Sequence, residues 1–160
     1  MPVFYVESSA LFKRYRTEPG TPVVNALFQE RAESDVFTTS HLVIVEMEAT
    51  GARALNGRTL TRQALGVLLR SFAEDMGRIM ILPVSASILA NAGQAARNHA
   101  LRALDAIHFA SAATVRETIS GQLVLVSSDH EIVQAAKADG IPVLNPEDAG
   151  ALQTLRSLRV

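Results

Sequence analysis

Four carboxylates stand out by where they fall in the chain. Glu7 directly follows the run Val3-Phe4-Tyr5-Val6, and Asp129 follows Leu123-Val124-Leu125-Val126 after two serines. Both runs read as buried strands, and open parallel sheets bind their ligands at the carboxyl ends of strands. Glu46 sits inside Leu42-Val43-Ile44-Val45-Glu46-Met47, and Asp105 inside Leu104-Asp105-Ala106-Ile107. Both stretches are apolar and helical in pattern, and a charge there is costly without a partner. Each acid also has an ordinary reading. Glu7 and Asp129 suit helix N-termini, Glu46 could face solvent beside Glu48 and Arg53, and Asp105 could pair with Arg102 or His108 at helical spacing. Ser127 could cap a helix or orient a ligand. Taken together, four clustered acids would repel, and oxygen-only donors are best compensated by a hard divalent cation such as Mg²⁺ or Mn²⁺.

The elements that must position these acids alternate in type. A strand over 3–6 leads into a helical segment reaching about Arg16, closed by Glu18-Pro19-Gly20. A helix over 21–32 precedes a short strand, Val36-Phe37-Thr38-Thr39, and Ser40 is placed to cap a helix from His41 to about Leu55. Asn56-Gly57 breaks that helix, and another runs from Thr59 to about Met76. Ile79-Met80-Ile81-Leu82 reads as a strand, followed by helices from Ser85 or Ser87 to about Asn98 and from Ala103 to Glu117. After the strand at 123–126, Ser128 and Glu131 fit a capping box, and the helix they open ends at Asp139-Gly140. Pro142-Val143-Leu144 makes a last strand. Alternation of this kind predicts an α/β/α sandwich around a mostly parallel sheet. Residues 1–150 read as a single domain, with 151–160 a tail that is either a short amphipathic helix or frayed.

Composition narrows the function. The chain has 160 residues, 15 basic against 16 acidic, 48% of them hydrophobic and none of them cysteine. Thiolate metal sites, disulfides and cysteine nucleophiles are therefore excluded. The net charge of −1 gives no global field for nucleic acid. Thirteen of the basic residues are arginine, and Lys13, Arg14 and Arg16 are loose candidates for substrate contact. No apolar run approaches the ~20 residues of a membrane span, so a cytoplasmic protein with no membrane association is expected. GxxxxGK[ST], GxGxxG and GxSxG motifs are missing. His41, His99, His108 and His130 show no metal-binding spacing and read as surface or packing residues. A phosphoacceptor receiver is disfavoured, because Pro83 follows Leu82 and no lysine lies near Val143.

Read in order, the segments VFYVESSALFKRYRTEPG, SHLVIVEMEATGARAL, LRALDAIHFASA and LVSSDHEIVQAAKADGIPVLNP resemble the four motifs of the PIN-domain family. The resemblance is closest to the VapC toxins of toxin–antitoxin pairs and covers nearly the whole chain. It implies a PIN-like three-layer α/β/α sandwich with four to five strands. It further implies a metal-dependent endoribonuclease in which Glu7, Glu46, Asp105 and Asp129 hold Mg²⁺ or Mn²⁺, with Ser9 and Ser127 as supporting polar groups. Expected partners are an RNA substrate, a VapB-like antitoxin and a second copy in a homodimer. One departure stands out: the family's first acid is normally aspartate, and here it is Glu7. That exchange raises the alternative of a weakened or silent module that binds RNA or antitoxin.

Overall fold

The protein was analysed as a computed structural model, which describes residues 1–159. Five strands form one fully parallel sheet: β1 (Pro2–Val6), β2 (Val36–Ser40), β3 (Met80–Leu82), β4 (Gln122–Val126) and β5 (Val143–Leu144). Their spatial order is β3-β2-β1-β4-β5, which puts β1 at the centre. Eight helices cover the two faces: α1 (Ser8–Leu11), α2 (Thr21–Gln29), α3 (Leu42–Asn56), α4 (Arg62–Met76), α5 (Ala86–His99), α6 (Ala103–Thr118), α7 (His130–Ala138) and α8 (Ala151–Ser157). This is the sandwich expected from the alternating pattern. No helix among the described residues is long and apolar enough to cross a membrane.

β1 and the Leu123–Val126 stretch of β4 are apolar because both faces are covered, while β2 carries the buried Thr38, Thr39 and Ser40; successive side chains point to opposite faces. Val3, Tyr5, Leu123 and Leu125 pack with Ile88, Ala106, Phe109 and Ile132 of α5, α6 and α7. Phe4, Val6, Val124 and Val126 pack with Leu11, Leu27, Met47, Phe72 and Leu155 on the other side. The tail at 151–157 is helical, and Ala151 and Leu155 are buried in that second core.

Five local details differ from expectation. The helix expected to reach Arg16 stops at Leu11 and tightens into a 3₁₀ turn over Phe12–Arg14. Arg14 and Tyr15 at its end are both tied to Asp75 of α4, and that long-range anchor turns the chain early. The helix expected over 21–32 ends at Gln29, and the Arg31 guanidinium beyond it donates to the Arg78 and Asp35 carbonyls. The helix expected from Thr59 starts at Arg62, capped by Thr61. Before it, Arg58 takes a left-handed φ of 57°, and Thr59 N–H folds back to Ala54. Finally, Asp129, not Ser128, caps α7. Ser40 likewise is not the cap expected for α3: it ends β2, the N-cap is His41, and the Ser40 hydroxyl accepts from Leu42 N–H at 3.3 Å.

Candidate active site

Parallel pairing sets the geometry of the site. β1 and β4 run in register from Pro2↔Gln122 to Val6↔Val126, so their carboxyl ends, and the residues that follow, emerge side by side. Glu7 donates its backbone N–H to Val126 O at 3.0 Å. Its side chain then turns back as the N-cap of α1. Oε1 accepts from Ser8 Oγ at 2.6 Å and Ser9 N at 3.0 Å. Oε2 accepts from Ser127 Oγ at 2.8 Å and from the Ser9 hydroxyl. A carboxylate offers about four lone-pair sites, and here each is matched by a donor. Glu7 is 3% exposed, so this cradle compensates a buried charge. The same serines continue the network, with Ser128 N donating to Ser9 Oγ at 3.0 Å and Asp129 N to Ser127 Oγ at 3.1 Å.

The other three acids arrive from different elements. Asp129 caps α7, with Oδ1 accepting from Ile132 N at 2.9 Å. Asp105 lies half-buried in the first turn of α6, where a carboxylate is favoured by the helix dipole. Even so, its carboxyl is pushed up to about 6, first by desolvation and then by the charges of Asp129, Glu7 and Glu131. Glu46 reaches in from α3 and bonds His108 Nε2 at 2.8 Å. His108 is wholly buried, and its Nδ1 meets the Tyr5 hydroxyl at 2.9 Å. Burial opposes the imidazolium, but the Glu46 bond and the charges of Glu7, Glu46 and Asp105 outweigh it and raise the His108 pKa.

Asp105 feels Asp129, Glu7 and Glu131, and His108 feels Glu7, Glu46 and Asp105, at the carboxyl edge of the sheet. Burial is the main cause of the raised Asp105 pKa, and the neighbouring carboxylates add to it. Hard oxygen donors with excess negative charge suit a divalent cation. Among the described residues, however, no three His, Cys, Asp or Glu side chains stand together as a ready-made metal cage. Glu7 in particular has its oxygens engaged by serines. Sequence reading missed the roles of Ser8, Tyr5 and His108. Two signals for the last pair were available: Tyr5 shares strand parity with Glu7, and His108 follows Asp105 by one helical turn.

Lys13 and Arg14 are not the substrate contacts suggested by their position. Lys13 is buried and pairs with Glu147 at 2.6 Å, and Arg14 pairs with Asp75 at 2.5 Å. Arg16 is exposed.

The PIN-domain family model matches residues 4–138, a span that includes all four acids. The chain is a PIN domain. Ribonuclease VapC45 and Ribonuclease VapC49, from two strains of Mycobacterium tuberculosis, are each 32% identical to this PIN domain over 143 residues, covering 89% of it and 95% of the relative. The crystal structure of VapBC2 from Rickettsia felis, bound to a promoter DNA fragment, superposes with a TM-score of 0.64 at 11% identity, covering 88% of this PIN domain and 96% of that chain. At that identity the superposition speaks for the fold alone.

Proposed function

We propose that this PIN domain is a VapC-like, metal-dependent endoribonuclease. The observation that carries the proposal is that Asp105, already disfavoured by desolvation, also feels Asp129 and Glu7 and is pushed up to about 6, while Glu46 bonds a histidine that feels Asp105 and Glu7. Glu46, Asp105 and Asp129 would hold Mg²⁺ or Mn²⁺. Glu7 would contribute an oxygen only by giving up one of its serine donors. When bound, such an ion lowers the pKa of an attacking water and neutralises charge on the transferring phosphate. The protein's own part is positional. Ser9 and Ser127 hold Glu7 and the Asp129 backbone, and the N-terminus of α7 presents Asp129. Without the ion, the acids would repel an RNA backbone, so a bound ion is what lets substrate approach. An RNA substrate implies a cytoplasmic site of action.

The relatives' VapC names support a VapB-like antitoxin as partner, and a homodimer of this chain is part of the same proposal. A groove of about 580 Å³ between the 3₁₀ turn and α4, lined by Tyr15, Leu60, Ala64, Val67 and Leu68 together with Arg14, Thr61, Gln63 and Ser71, suits an amphipathic antitoxin segment.

The engagement of both Glu7 oxygens favours a second reading, a catalytically weakened module that binds RNA or antitoxin without efficient turnover. One experiment separates the two. Purified, antitoxin-free protein and a Glu7→Asp variant are given a labelled RNA pool with Mn²⁺, Mg²⁺ or EDTA. Metal-dependent cleavage by both supports the nuclease. Cleavage by Glu7→Asp alone identifies the parent as attenuated. Silence from both overturns the nuclease reading.

A further inference from the structure

Beneath the acidic edge lies a second, wholly internal polar chain. Tyr5 and His108 are both fully buried, and the phenol, the imidazole and the Glu46 carboxylate follow one another at 2.9 Å and 2.8 Å. The three residues come from β1, α6 and α3, so the chain crosses from the sheet through one helix to another. Burial and the nearby Glu7 and Glu46 charges hold the Tyr5 hydroxyl protonated. When the imidazole is neutral, that hydroxyl donates to Nδ1 and places the ring's proton on Nε2, facing Glu46. When it is charged, both nitrogens donate, and Nε2–H still points at Glu46. In either state the acid receives a directed hydrogen bond from a ring that cannot swing, because the Tyr5 and His108 rings pack edge to face at 6.1 Å.

Glu46 takes its hydrogen bond from this ring, whereas two of the other acids are held locally. Asp129 is held by its own helix cap, and Glu7 by four serine donors. Glu46 is a longer side chain, part-exposed at 19%, on a helix whose adjacent Ile44 and Val45 face solvent. Left to itself it would sample several rotamers and point into water. We infer that Tyr5 and His108 are positioning residues, which hold Glu46 in one orientation against the His108 ring so that the acid is ready to hold a cation. The inference rests on the metal-site reading above. Partners of this kind, one bond removed from a metal-binding carboxylate, typically change metal affinity or activity by 10–100-fold when removed.

The test is Mn²⁺ affinity of the metal-free full chain, followed by electron paramagnetic resonance without RNA and accompanied by thermal melting. Four variants are compared with the parent: Tyr5→Phe, His108→Leu, His108→Gln and Glu46→Gln. Tyr5→Phe removes one hydroxyl from a core that keeps its shape, so it remains informative should His108→Leu not fold. The expected result is Mn²⁺ binding weakened roughly 3–10-fold by Tyr5→Phe and about 10–100-fold by His108→Leu. His108→Gln, which keeps an N–H near the Nε2 position, should stay within about threefold of the parent. A purely structural role would lower melting temperatures and leave the affinities unchanged. If Glu46→Gln weakens Mn²⁺ while Tyr5→Phe and both His108 variants bind like the parent, the positioning role fails and the metal site stands. If parent and Glu46→Gln bind Mn²⁺ equally, or neither binds, the metal reading itself fails and the inference with it.

Discussion

One methylene separates Glu7 from an aspartate, and in this fold that methylene decides what the carboxylate touches. An aspartate would draw its oxygens back by roughly one carbon–carbon bond, about 1.5 Å, away from the Ser127 hydroxyl that Glu7 reaches at 2.8 Å. Asp105 presents the opposite situation, an acid disfavoured first by desolvation and then by the charges of its neighbours. Its folded pKa of about 6 lies above the ordinary 3.8. Between those values the folded protein still holds a proton that the unfolded chain has released, so raising the pH favours unfolding. The metal-free protein should therefore lose stability as pH rises from about 4 to 6 and level off above that window. Melting curves across the range should show this slope in the parent and lose it in Asp105→Asn. An unchanged slope in the variant would assign it to another group. That Glu7 and Asp129 could be helix caps was legible in the sequence, and both are. That the cap and the acidic edge are the same atoms was not, because the Ser127–Glu7 contact joins residues from β1 and β4 that only pairing brings together.

At the scale of elements, the strands were the most readable feature. A central parallel strand is covered on both faces and so tends to be apolar, as Val3–Val6 and Leu123–Val126 are, although the interior β2 ends in the buried Thr38-Thr39-Ser40. The first helix was misjudged for an equally specific reason. Nothing local in Phe12-Lys13-Arg14-Tyr15 announces a 3₁₀ turn. The cause lies far along the chain in Asp75, which accepts from Arg14 Nε at 2.5 Å, Arg14 Nη2 at 3.1 Å and the Tyr15 hydroxyl at 2.8 Å. Asp75 is 5% exposed, and removing one partner of a buried ion pair commonly costs about 3–5 kcal/mol. Asp75→Ala should therefore destabilise the fold by about 3 kcal/mol, toward the low end of that range because Arg14 keeps some solvent contact. Urea denaturation would measure it, and a loss below about 1 kcal/mol would show that the turn holds without its anchor. Glu46 and His108 illustrate the same limit. Their partnership joins α3 to α6, and each half looks ordinary in its own helix.

For the molecule as a whole, a net charge of −1 leaves no general attraction to nucleic acid. If the acidic edge is where RNA binds, a cation must reverse its sign. Ca²⁺, which takes oxygen ligands without substituting well for Mg²⁺ geometry, offers a way to see binding apart from cleavage. Filter retention of a labelled RNA should rise with Ca²⁺ and disappear with EDTA. Retention that ignores EDTA would place the RNA on another surface, such as one carrying the exposed Arg16.

The central position of β1 has a bearing on how such a protein is made. Its first strand, residues 2–6, is flanked by β2 at 36–40 on one side and by β4 at 122–126 on the other. Synthesis proceeds from the N-terminus, so the middle of the sheet stands with one side open until most of the chain has left the ribosome. Glu7 and Glu46 emerge early, yet Asp129 and the Ser127 hydroxyl that braces Glu7 arrive only with β4. A translation product interrupted before β4 therefore lacks Asp129 and the Ser127 brace on Glu7. On the nuclease reading, a cell is exposed to cutting only by chains that have been finished, and an antitoxin need never guard against fragments.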